Sequence, residues 1–361
     1  MLKIAAALTA SLTAGALLAG GGSAHASASP SCESTYGRVA VTGQSAGWRV
    51  IESTAPTETG TFIETSVVSG PSNLWAFPGC GEALHYHDGQ WREAPLPTGT
   101  PANITAATAA SPSAVWAFAG NSVLFWNGHT WARTAQLSGS IYDAAAAGPD
   151  SVWASDGSSL WHFNSQTWSR SALPFTGLDT LNASPDGTLW AAGTVKSTPV
   201  VAHLSSGSWS VTSLARFLGK DPYLCGGYAI ALYARSAHDV WAAGGPDCQD
   251  RGGSLRAVMH WNGSSWTALS YRGDSGEAGS IAPDGSGGIW ISTIVGLPGS
   301  SVVLHVTGDR ITPSALPEID GVSPRVGLQA APGGGPVYGV GAYFTFPHNM
   351  TAAGSVIIEQ R

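Results

Sequence analysis

Charge is scarce in this chain, and lysine is scarcer still. Only 11% of the 361 residues are Asp, Glu, Lys or Arg, and Lys3, Lys196 and Lys220 are its lysines. With a formal net charge of −7 and no basic cluster, the chain lacks the electrostatic footprint of a nucleic-acid or anionic-lipid binder. Long apolar runs are missing beyond residue 26, so no later segment reads as a membrane-spanning helix. A Walker phosphate loop and a His-Glu-x-x-His metal helix are also missing, which removes two common routes to phosphoryl transfer and metalloproteolysis.

What the chain has instead is glycine, 47 residues of it, and 15 tryptophans placed at intervals. One stretch shows the unit. Ala237-His238-Asp239 is a turn signal. The apolar run Val240 to Ala243 follows and ends at Gly244-Gly245. A loop leads to a second run, Ala257 to Trp261, and Asn262-Gly263 turns the chain into a third, Trp266 to Leu269. Asn-Gly between apolar runs is a hairpin signal, because both central residues of a type I′ turn need positive φ.

The first Trp recurs at Trp75, Trp116, Trp153, Trp190, Trp241 and Trp290, with Tyr338 in a seventh copy. The intervals are 41, 37, 37, 51, 49 and 48 residues. Short strands at this period mark propeller blades. The second Trp recurs at Trp91, Trp131, Trp168, Trp209 and Trp266, and Arg310 replaces it in the sixth copy. Before each first Trp lies a run of small residues, such as Ala144 to Ala147. Ala favours helix, but these runs are short and end in turns such as Gly148-Pro149-Asp150. Small residues suit a strand lining the channel where blades converge. The sequence therefore predicts an all-β, seven-bladed propeller of four-stranded antiparallel blades over residues 37–361. The seventh copy stops after its third strand, and Gly47 to Ile51 offers the missing outer one. Closure with strands from both ends removes an exposed sheet edge. Arg38 to Val41 offers a further strand there.

Residues 1–26 read as a secretory signal peptide. Lys3 opens it, Ile4 to Gly20 is apolar, and Ala24-His25-Ala26 is a small-x-small cleavage site. Residues 27–36 form a short extension. In an exported chain, Cys32, Cys80, Cys225 and Cys248 are expected to form disulfides. Cys225 and Cys248 flank the fifth copy on one face of a propeller, which pairs them and leaves Cys32 with Cys80.

Residues 236–270 resemble a kelch-type blade. The mature chain resembles secreted actinobacterial propellers with Asp-Val-Trp-Ala and His-Trp-Asn-Gly-Ser-Ser-Trp blades, and it is similar in its repeats to the central domain of galactose oxidase. The match is fullest at Asp239 to Ala242 and His260 to Trp266. The resemblance implies the fold and leaves function open.

Functional expectations rest on loop length. The second-to-third connection lengthens from the fourth copy on. It reaches Gly341 to Gly354 in the seventh, and the connection Leu214 to Gly227 is enlarged as well. Insertions gathered on one face suggest a binding face. Asp221, Tyr223, Asp247, Asp250, Arg251, Tyr343, Phe344 and Phe346 are the candidate contacts, with aromatic and Arg anchors typical of hot spots. The leading expectation is a secreted, non-catalytic, monomeric propeller that binds an extracellular protein or glycan without a cofactor and without membrane insertion. The alternative is a lyase or glycoside-active enzyme with a site at the channel mouth. For it the inner strands offer chiefly Asp143 and Asp179. His85 and His87, at i and i+2 on one strand, are the candidate metal ligands. His162, His203, His260 and His305 share one repeat position and read as scaffold.

Overall fold

The computed structural model describes residues 45, 47–54, 63, 65–79, 81–219, 227–247, 254–273, 276–295, 300–345 and 352–360. Four-stranded antiparallel sheets, seven in number, carry the chain. Blade 1 holds β2 (Thr65–Gly70), β3 (Asn73–Phe77), β4 (Glu82–His87) and β5 (Gln90–Pro95). Blade 2 holds β6 (Ala106–Ser111), β7 (Ala114–Ala119), β8 (Ser122–Trp126) and β9 (Trp131–Gln136). Blade 3 holds β10 (Asp143–Gly148), β11 (Ser151–Ser155), β12 (Ser159–Phe163) and β13 (Trp168–Ala172). Blade 4 holds β14 (Gly177–Ala183), β15 (Leu189–Val195), β16 (Thr198–Ser205) and β17 (Ser208–Ser213). Helix α1 (Ala215–Leu218) precedes blade 5, which holds β18 (Gly227–Ser236), β19 (Asp239–Asp247), β20 (Ala257–Trp261) and β21 (Trp266–Ser270). Blade 6 holds β22 (Glu277–Pro283), β23 (Ile289–Val295), β24 (Ser300–Thr307) and β25 (Arg310–Ser314).

Blade 7 is built from both regions of the chain that the repeat left incomplete. β26 (Arg325–Ala330), β27 (Val337–Thr345) and β28 (Ala352–Gln360) are joined by β1 (Trp48–Ser53), which pairs antiparallel with β28. Arg49 donates through Nε to Glu359 at 2.6 Å and clips the two strands together across 310 residues of sequence. The predicted strand at Arg38 to Val41, the leader and all four cysteines lie outside the described residues.

The repeated tryptophans explain how blades stack. The outer-strand Trp of one blade packs edge-on against the second-strand aromatic of the preceding one. Trp131 meets Trp75 with centroids 5.0 Å apart, Trp266 meets Trp190 at 6.2 Å, and Trp48 meets Trp290 at 5.5 Å. Edge-to-face pairs add about 1 kcal/mol to the area each ring buries. The Ala run of blade 3 is strand β10, as its turn boundaries predicted.

The long connections differ from expectation. Much of Gly341 to Gly354 is paired strand, with Tyr343 opposite Gly354 and Phe344 opposite Ala353. The extra residues of blade 4 are also ladder, closed by the pair Val195 and Thr198. Past the recurring second-strand aromatic, blades 1–3 continue two or three residues, to Phe77, Ala119 and Ser155. Blades 4–7 continue five to seven, to Val195, Asp247, Val295 and Thr345. At about 3.3 Å per residue the taller blades rise roughly 10 Å higher. Strand direction alternates within a blade, so these ends share a face with the starts of the inner strands. That face has a low arc, blades 1–3, and a tall arc, blades 4–7.

Candidate ligand-binding face

The opposite face is occupied by scaffold histidines. His162, His203, His260 and His305 each lie opposite the second-strand Trp of their blade. His85 does the same opposite Trp75, so it belongs to this series. The rings stack: centroids are 4.0 Å apart for Trp75 and His85, 3.6 Å for Trp153 and His162, and 4.1 Å for Trp241 and His260. A polar residue at or near the turn holds the outer nitrogen of four of them: Asn73 at 2.9 Å from His85, Ser151 at 3.1 Å from His162, Asp239 at 2.9 Å from His260 and Asp284 at 3.0 Å from His305.

In this geometry Asn73 links His85 to His87. His85 Nε2 donates to Asn73 Oδ1, and Asn73 Nδ2 donates to His87 Nδ1 at 3.2 Å. His87 Nε2 lies 3.3 Å from Asp88. Burial, with smaller contributions from His87 and Arg92, brings the His85 pKa down to about 4, which keeps the ring neutral. Among the described residues, no group of three His, Cys, Asp or Glu is placed to hold a metal ion.

Polar groups of the inner strands go into the seams between blades. Thr65 Oγ1 donates to Ile104 O at 2.6 Å across seam 1–2, and Thr105 Oγ1 donates to Ile141 O across seam 2–3. Asp143 Oδ2 accepts from Leu181 N at 2.6 Å across seam 3–4, and Asn182 Oδ1 accepts from Ala234 N at 2.9 Å across seam 4–5. Arg235 donates to Gly288 O at 3.3 Å across seam 5–6. Ser280 Oγ accepts from Leu328 N at 2.6 Å across seam 6–7. Gln329 closes the circle, accepting from Val68 N at 3.1 Å and donating to Ser66 O at 3.1 Å. These bonds tie side chains of one blade to backbone groups of the next; Gly288 O also accepts from Asp284 N at 3.1 Å within its own blade. Asp143 is the acidic member. Its Oδ1 also accepts from Ala144 N at 2.8 Å. Burial pushes its carboxyl up to about 7, against the opposing pull of the two amide donors.

The predicted contacts divide three ways. Asp221, Tyr223, Asp250, Arg251 and Phe346 lie outside the described residues, as do Cys32, Cys80, Cys225 and Cys248. Asp247 ends β19, opposite Gly227. Tyr343 is a correction: it is fully buried, and its hydroxyl donates to Thr54 O at 2.6 Å. Burial raises its pKa to about 12. It pins β1 to the closing blade and presents nothing to a ligand. Phe344 is half-buried on the tall β27–β28 hairpin.

Two features escaped sequence reasoning. Tyr142 is 66% exposed at the entrance to β10, on the low arc. Its signal was an aromatic directly before a strand of small residues. Gly43-Gln44-Ser45-Ala46-Gly47 spells Gly-x-Ser-x-Gly, the pattern of a nucleophile elbow. Such an elbow needs a strand-to-helix turn. Ser45 instead bridges to Trp48 at the head of strand β1, so the pattern lacks its context.

No family model matches the chain, and no curated protein matches it. Solved structures do. The chain is similar to YCF48 bound to D1 peptide, at 13% identity and a TM-score of 0.56, over 87% of this chain and 96% of that one. It is similar to the WD40 β-propeller domain of Doa1, at 9% identity and a TM-score of 0.58, over 87% and 98%. It is also similar to a GH74 xyloglucanase from Xanthomonas campestris, at 15% identity and a TM-score of 0.54, over 86% of this chain and 55% of that one. At these identities the likeness is one of fold. The chain is a seven-bladed β-propeller.

Proposed function

We propose that this protein is an exported, non-catalytic propeller that binds an extracellular protein or glycan partner through its stepped face. The observation that carries the reading is the use of polar side chains. Polar side chains of the inner strands bridge every seam, and four of the five recurring histidines stack on tryptophan. The channel wall is thereby committed to holding blades together, whereas the opposite ends of the same strands vary in height from blade to blade. Variation laid over a constant frame is how propellers and other repeat folds present binding surfaces. YCF48, bound to a peptide in the structure it resembles, supports a polypeptide partner. Export rests on the leader-like residues 1–26, and the disulfides Cys32–Cys80 and Cys225–Cys248 accompany it.

The test is direct. The mature chain, purified from culture medium and tagged, is cross-linked to its host's extracellular fraction and applied in parallel to a glycan array. Saturable retention of one protein or glycan, with no turnover of polysaccharide or glycoside substrates, is the expected result. Turnover of any of them would replace this reading with the enzymatic one.

A further inference from the structure

One of the two steps between the arcs falls where blade 3 meets blade 4. β11 stops at Ser155, whereas β15 runs on to Val195. Tyr142 stands on the low side of that step. Its neighbour Ile141 is fully buried and roots the segment, and Tyr142 N donates to Ser155 O at 2.9 Å. The ring is therefore held out on an anchored backbone. Among the described residues, Tyr142 and Val211 are the large apolar side chains left exposed, and Val211 lies on the outer strand β17. An exposed aromatic on a fixed base is a recurrent interface anchor, with apolar area and a hydroxyl in one group.

The surroundings indicate what it would meet. Asp143 follows Tyr142 and reaches Leu181 of blade 4. Asp156 lies against the connection leading to Tyr142, since a Cβ added to Gly139 would come 2.7 Å from its Oδ2. Asp179 is exposed and falls at the register shift between Leu178 and Thr180. The basic residues of blades 3 and 4 are Arg170 and Lys196. Arg170 is turned inward, donating to Ser159 Oγ at 2.6 Å and lying 5.7 Å over Trp161, while Lys196 is exposed in the β15–β16 turn.

Resting on the binding reading above, we infer that the ledge formed by Tyr142 against blade 4 docks an extended polypeptide segment bearing a Lys or Arg side chain. The cation would lie over the Tyr142 ring and toward Asp179, where cation–π attraction and a nearby carboxylate act together. A chain of this overall acidity adds a long-range pull of the same sign. The tall wall of blade 4 gives the segment a side to lie along.

A random twelve-residue peptide library displayed on phage, panned against the mature protein at low salt, tests this. Enriched peptides are expected to favour Lys and Arg over Asp and Glu. They should lose at least about tenfold of their binding to Tyr142→Ala and to Asp179→Asn, and keep it on Val211→Ser. Both Tyr142 and Asp179 are exposed, so the variants should fold, which a thermal melt checks. Enrichment of acidic or uncharged peptides, or full binding to Tyr142→Ala, would overturn the ledge. If the cross-linked partner is captured undiminished by Tyr142→Ala, the ledge fails and the binding function stands. If neither library nor host fraction yields a binder, the function itself fails.

Discussion

Below the recurring Trp, blades 1–3 and blades 4–7 share one framework; above it, they diverge. In blades 1 and 5, for example, the Trp–His stack measures 4.0 and 4.1 Å. Among the described residues, the extra residues of blades 4 and 7 continue the ladder. Antiparallel pairing supplies alternate added residues with partners and leaves the outward-facing groups to solvent, so a hairpin can grow outward pair by pair at little cost in unsatisfied amides. Height in a propeller blade is therefore easily varied, while the seams beneath are not.

The largest effect should come from attacking the shared layer. Trp75→Ala in the low arc removes a fully buried ring that touches both its own His85 and the next blade's Trp131. It should cost about 3–5 kcal/mol. Trp241→Ala in the tall arc should cost a similar amount if the frame is uniform. Denaturant unfolding of both variants measures this, and a difference beyond about 2 kcal/mol would show that height contributes to blade stability.

The boundary between the arcs gives the next effect. Asp143 has a folded pKa raised to about 7. A raised acid binds its proton more tightly in the folded state, so stability is greatest below the unfolded value near 4 and falls as pH rises toward 7. Asp143 is only partly buried, which discounts full conversion of the shift and leaves an expected loss of about 2 kcal/mol between pH 4 and pH 8. Asp143→Asn should flatten that slope, and denaturant midpoints across the range would reveal a slope that persists.

The acid side sharpens the contrast. Blades 1 and 3 hold their histidines with the neutral Asn73 and Ser151, and blades 5 and 6 with Asp239 and Asp284. Burial works against the Asp284 charge, but hydrogen bonds from His305, Ser286 and Gly288 hold its carboxyl below the usual range. That stability is present above the unfolded pKa and is lost as pH falls through the folded one. Asp284→Asn should cost about 1 kcal/mol at pH 7 and less at pH 3, read from melts at both values. The smallest effect should be Tyr142→Ala, within about 0.5 kcal/mol, because the ring is exposed. A larger loss by the same melt would mean that Tyr142 supports the fold rather than the surface.

Blade number and closure were legible because tryptophan marks six copies, Tyr338 marks the seventh, and the copies are unequal at the two ends. Blade height was not. The turn joining β15 to β16 is Lys196-Ser197, with φ of 47° and 62°. A two-residue turn with positive φ is normally announced by Asn or Gly, and neither is present, so Val195 to Thr198 read as loop. Tyr343 was misplaced for a related reason: an aromatic in an apparent loop suggests a surface, and the ladder turned it inward. His85 was separated from its series because the adjacent His87 suggested a pair of ligands.

The closing blade has a consequence for assembly. Strand β1 has no partner until β28 exists, and the Arg49–Glu359 clip spans 310 residues. During synthesis the early strand must wait while six blades form beside it. Long-range pairing of this kind is slow and leaves an open edge in the meantime. A chain cut short anywhere before Ala352 would keep that edge and stay recognisable as unfinished. Circular closure makes the fold a test of its own completeness.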